Sequence, residues 1–116
     1  MHSRRSLTAL FDIRDNILLA REFTVGLTME SFRTDRRNFY AVTRCLEIIS
    51  EATRRLPAAV RARHPELPWH KIAGVGNVYR HDYDNVIEDY VWRTVQQSLG
   101  PLLAAVEREI EKLETK

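Results

Sequence analysis

Phe32, Phe39, Val42, Leu46, Ile49 and Leu56 fall on one stripe at helical steps, the spacing at which one face of an α-helix is buried. A neighbouring stripe holds Ala41, Cys45, Ile48 and Ala52. Together they predict one long helix over residues 28–56, with Asp35 and Thr53 as the only polar members of the main stripe. Its apolar face is wide enough to touch two neighbours, and its small residues allow close approach. A chain organised around such a rod needs other helices to cover it. Leu10, Ile13, Ile17 and Ala20 supply one over residues 6–25, stopped by Gly26, which tolerates a left-handed cap. Val91, Trp92, Val95, Leu99, Leu102, Val106, Ile110 and Leu113 supply another, in which Gly100 and Pro101 are expected to produce a kink or break.

The connections fit this pattern. Pro57 ends the long helix and opens a short turn over 58–63. Residues 64–69 read as an ordered loop bracketed by Pro65 and Pro68, because the residue before a proline is pushed away from helix. Trp69, Ile72, Ala73, Val75 and Tyr79 suggest a further helix over 69–79 that contains Gly74 and Gly76. Each glycine is unfavourable there by about 1 kcal/mol relative to alanine, so something close to the backbone is expected to require them. Residues 82–85 read as a turn. No strand candidate survives. The expected fold is all-α: an up-and-down four-helix bundle with a short extra helix.

Composition narrows the class. The chain has 116 residues and a formal charge of +2, which suits a single domain, 1–116, and not a strongly basic nucleic-acid binder. Four glycines and four prolines are too few for a turn-rich sandwich. One cysteine, Cys45, forms neither an internal disulfide nor a cysteine-based zinc site; lying in an apolar stripe, it reads as an inert core thiol. The longest uninterrupted apolar run, 102–106, is far short of the roughly 20 residues of a membrane span. The basic start at Arg4 and Arg5 is followed by Asp12, Arg14 and Asp15, which rules out a signal-peptide pattern. The expectation is a cytoplasmic protein with no membrane association, no metal and no cofactor.

The stretch 73–83 concentrates the chemistry. It holds a carboxamide (Asn77), a guanidinium (Arg80), an imidazole (His81) and two phenols (Tyr79 and Tyr83). An imidazole exchanges protons near neutral pH, and a guanidinium holds phosphate oxygens and stabilises charge on them. Cleaving RNA without a metal needs both functions. A plainer reading stands beside it: a histidine near a helix C-terminus also favours the helix dipole. Glu51 is open between orienting His81 or Arg80 and pairing with Arg55 one turn on. His64 and His70 lack further ligands at metal-binding spacing and are expected to face solvent. Arg33, Arg36, Arg37 and Arg44 read as a solvated face balanced by Glu30, Glu47 and Glu51. Arg54, Arg55, Arg61 and Arg63 are free to meet RNA phosphates or an acidic partner. Trp69 and Trp92 are expected to anchor the core or a dimer contact, and Tyr79 to pack.

Four stretches in order resemble the HepT-like toxins of the HEPN superfamily: Phe32-Arg-Thr-Asp35, residues 41–52, residues 67–74 and Asn77-Val-Tyr-Arg-His-Asp-Tyr83, extended by Val91-Trp92 and residues 99–102. The resemblance implies a homodimeric ribonuclease toxin with a composite, metal-independent site built from two arginine-x4-histidine motifs. It also implies a partner, an MNT-type nucleotidyltransferase antitoxin that transfers AMP to a tyrosine two residues after the histidine. Carried over by residue, His81 is the histidine, Asn77 the frequent asparagine and Tyr83 the AMP acceptor. Glu51 takes the place of the glutamate in a Gly-Glu-Ala stretch, with Ser50 where the glycine would be.

The arginine does not carry over: five residues before His81 stands Gly76. Arg80, about 100° round a helix from His81, is the candidate substitute, to its own pocket or to a partner's. The alternative is a binding module that keeps the dimer and the antitoxin contact without cleaving. A third reading is a plain structural bundle. The wide apolar face of the long helix is the sequence's own argument for a homodimer.

Overall fold

The computed structural model describes residues 2–77 and 85–115. In chain order these form α1 (His2–Thr24), α2 (Met29–Thr34), α3 (Arg36–Arg55), α4 (Ala58–Ala62), α5 (Trp69–Ala73), α6 (Val86–Arg93), a π-helical turn (Thr94–Ser98) and α7 (Leu99–Glu114). Among the described residues there is no strand. The chain forms an all-α bundle. α1 lies between α3 and α7, α5 packs on α3, and α2 bridges α3 and α6. Leu10, Ile13 and Ile17 of α1, Val42, Leu46 and Ile49 of α3, and Leu102 and Val106 of α7 are fully buried at their common seam. No helix among the described residues is long and apolar enough to cross a membrane.

Three expected helices come out differently, each for a local reason. The rod expected over 28–56 is two helices. Asp35 leaves helical geometry (φ −91°, ψ 85°) and caps α3, its carboxylate accepting from Asn38 N–H at 3.0 Å and from the Asn38 amide at 2.8 Å. A reciprocal capping box between Thr28 and Ser31 starts α2. Phe32 therefore lies on α2, where it stacks against Phe39 and Trp92 with ring centres 6.1 and 5.5 Å away.

The helix expected over 69–79 stops at Ala73, and Gly74 to Gly76 form a turn. The break expected at Gly100 and Pro101 is absent. Helical geometry runs from Val86 to Glu114, and the irregularity sits upstream as the π turn. Pro101 has no N–H to donate and crowds the carbonyl four residues back, and a widened turn just before it relieves both. The stop at Gly26 is as expected, with φ +79°.

On the second apolar stripe of α3, Cys45 and Ala52 are buried and Ala41 and Ile48 are half-buried.

Candidate active site

Of the residues singled out from sequence, Arg80, His81 and Tyr83 lie outside the described residues, as does Tyr79. The structure describes the approach to them. This is the turn Gly74 to Asn77 and the face of α3 on which it rests.

The turn touches α3 through backbone. Gly76 N–H donates to Ser50 Oγ at 2.6 Å. A Cβ on Gly76 would stand 2.6 Å from Glu47 Cα and 2.8 Å from the Leu46 carbonyl oxygen. Both are main-chain atoms, so nothing flexible can give way, and position 76 takes only glycine at this separation. The two departures from the HepT-like pattern, Ser50 and Gly76, are thus bonded to each other. The need for a close backbone approach, expected from the glycines, is met at Gly76. Gly74 is looser, its added Cβ meeting the Asn77 amide nitrogen at 3.6 Å. Asn77 itself is exposed, its N–H closing the turn on the Gly74 carbonyl at 3.0 Å.

One helical turn beyond Ser50, Arg54 Nη1 donates to the Ala73 carbonyl at 2.6 Å, meeting one of the orphan carbonyls at the end of α5. Glu51 is exposed. Of the two readings left open for Glu51, the pairing with Arg55 is not formed among the described residues; Arg55 instead bonds Asp12 of α1 at 2.9 Å. Arg44 pairs with Glu47, and Arg33 grips Asp89 of α6 with two bonds of 2.8 Å. Asp89 is held below the usual carboxylate range, first by that hydrogen bond and then by the charge of Arg33. The arginines expected to form a solvated face are therefore partly structural. Arg36 lies over the Tyr40 ring.

His64 corrects an expectation. It is buried, with Nε2 2.6 Å from Glu109 Oε2, and Glu109 is itself 2% exposed. Arg63 adds bonds of 2.6 and 3.2 Å to the same carboxylate. Trp69 Nε1 donates to the His64 carbonyl at 2.9 Å, so the loop 64–69 is pinned to α7. The Arg63 bond, and then that of His64, hold Glu109 below the ordinary carboxylate range against the opposing effect of burial. Sequence reasoning missed this clasp because its acidic member lies 45 residues away. The only local signal was Glu109 falling among the apolar positions of α7. His70 is exposed, as expected. Burial pushes the Cys45 thiol up, in keeping with an inert core residue.

Two cavities border these elements. A groove of about 480 Å³ is lined by Arg63, His64, Arg108, Glu109 and Lys112. A cleft of about 360 Å³ lies under the turn, its lining mixing apolar Leu67, Ile72 and Val75 with polar Lys71, Thr94 and Gln97. Asn77 lines neither cavity. Among the described residues no group of three or more His, Cys, Asp or Glu is placed to hold a metal.

Residues 13–109 match the model of a family described as ribonuclease HepT-like. A probable ribonuclease HepT of Thermococcus cleftensis is 35% identical over 99 residues, covering 85% of this chain and 90% of that one. Putative RNase MJ1216 of Methanocaldococcus jannaschii is 31% identical over 107 residues, covering 92% and 88%. Putative RNase TTE0752 of Caldanaerobacter subterraneus is 32% identical over 102 residues, covering 84% and 91%. No solved structure matches.

Proposed function

This chain belongs to the ribonuclease HepT-like family, and on that footing we propose that it is the toxin subunit of a toxin–antitoxin pair, a metal-independent endoribonuclease. His81 exchanges the proton between the 2′-hydroxyl and the leaving oxygen, Arg80 holds the phosphate, and Asn77 positions it. The active form is a homodimer with a composite site. An MNT-type nucleotidyltransferase is the partner, Tyr83 its AMP acceptor, and Glu51 a supporting carboxylate on α3. The observation that carries the nuclease reading is the family match over residues 13–109, which spans every one of these positions.

A second reading is favoured by one specific contact. Gly76 stands where the resemblance puts the motif arginine, and it is locked against Glu47 and Ser50. A cation lost there without replacement leaves a module that binds its antitoxin and does not cleave.

Expression in a host cell separates the two. The nuclease reading expects growth arrest, relieved by His81→Ala and by co-expression of the antitoxin. Normal growth, with a folded protein that still binds the antitoxin, selects the binding module.

A further inference from the structure

We propose that Arg54 of α3 grips a phosphate of a single-stranded RNA beside the turn Gly74 to Asn77, a second guanidinium in addition to that of Arg80. The proposal rests on the RNA-binding part of the function proposed above. Its experiment reads binding apart from cleavage.

Three observations converge. First, the contact at Gly76 is backbone on backbone, with a would-be Cβ 2.6 Å from Glu47 Cα, so position 76 itself contributes no side-chain cation to the turn. Second, Ser50 and Arg54 are four residues apart on α3, so they occupy successive turns of one face. Ser50 takes the Gly76 N–H and Arg54 takes the Ala73 carbonyl, at 2.6 Å each. The contact fixes one nitrogen of the guanidinium on the turn, and Arg54 as a residue is exposed. Third, the Asn77 amide folds back over Gly74, the residue after Ala73. A guanidinium and a carboxamide thus both lie beside the Ala73–Gly74 segment, and each carries N–H donors of the kind that bind phosphate oxygens.

The charge is also available. Arg44, Arg55 and Arg63 are each neutralised by a carboxylate, whereas Arg54 makes no ion pair among the described residues. A fork that a backbone carbonyl orients loses less freedom on binding than a free side chain does.

Capping α5 and gripping phosphate are separable. Arg54→Gln keeps a donor for the Ala73 carbonyl and removes the charge. Arg37→Gln removes an equal charge from an exposed position of the same helix. The probe is a fluorescent single-stranded RNA with 2′-O-methyl sugars, which binds and cannot be cleaved through the 2′-oxygen. It is titrated against the full chain at several salt concentrations.

Arg54→Gln is expected to bind about tenfold more weakly, with the slope of log affinity against log salt shallower by about one unit. Its melting temperature should stay at that of the unaltered protein, and Arg54→Lys should recover part of the affinity. Affinity and slope equal to those of the unaltered protein, or a loss no greater than that of Arg37→Gln, overturns the assignment. So does a failure of the unaltered protein to bind the probe. If Arg54→Gln melts early, Arg54→Lys decides: a folded lysine variant that binds no better than the glutamine variant under conditions where both are folded also overturns it. Cleavable RNA tests the other proposal. An unaltered protein that binds and never cleaves ends the nuclease reading and leaves the Arg54 result standing.

Discussion

The residue whose role depends most on its surroundings is Gly76. In sequence it is a missing arginine; in the structure it is the point where the turn and α3 meet at main-chain distance. Gly76→Ala should destabilise the protein by about 1–3 kcal/mol, because its neighbours are backbone and cannot repack. Gly76→Arg should destabilise it further and should not raise RNA cleavage, although it restores the family's motif. Urea unfolding beside a cleavage assay reads both. Ser50→Ala leaves the Gly76 N–H without its acceptor and should cost about 1–3 kcal/mol. Glu109 is the second such residue. Glu109→Ala strands the buried His64 imidazole and the Arg63 fork, and a loss of about 3 kcal/mol is expected in denaturant. His64 was read as exposed because no further ligands stand near it at metal-binding spacing, and a partner 45 residues away leaves no local signal. By contrast the inert Cys45, the stop at Gly26 and the structural use of Trp69 were legible, since each depends on its own residue type and near neighbours.

At the scale of elements, the apolar stripes located every main helix and misplaced their ends. Periodicity records which face is buried, and it does not change when a cap interrupts the backbone between two helices sharing that face. Asp35 read as a polar intruder in a stripe; its backbone N–H in fact closes α2 on the Phe32 carbonyl and its carboxylate starts α3. Asp35→Ala should cost about 1 kcal/mol, and the loss should appear as faster amide exchange at the start of α3, measurable by NMR. Pro101 shows the same limit from the other side. Its steric conflict is visible in the sequence, but its relief by a π turn at Thr94–Ser98 is a property of the packed helix. The shortness of α5 follows from Gly74 and Gly76, which the sequence flagged as costly without showing that they end the helix.

At the scale of the molecule, two carboxylates hold distant parts of the bundle together and a third caps the start of α3. Asp35 caps α3, Asp89 ties α6 to α2, and Glu109 ties α7 to the loop after α4. Asp35 is held below the usual range by the Asn38 hydrogen bonds, and Asp89 and Glu109 by their arginines. A depressed carboxylate stabilises the fold above its unfolded pKa, and that stability is lost as pH falls through the lower, folded value. The melting temperature should therefore hold from neutral pH down to about pH 5 and fall steeply below about pH 4. The fall should be shallower in Glu109→Gln, as thermal melts across a pH series would show. The bundle itself was legible from helical spacing, and so was the family from motif order. The homodimer was argued from the width of the apolar face of α3, on which Ala41 and Ile48 are half-buried, and light scattering tests it. The central claim is that a HepT-like bundle lacking the motif arginine still cuts RNA through His81. Its most direct test is incubation of the purified protein with cellular RNA in excess chelator, beside His81→Ala. The account predicts fragmentation by the unaltered protein and intact RNA with the variant; intact RNA with both, or equal fragmentation with both, would contradict it.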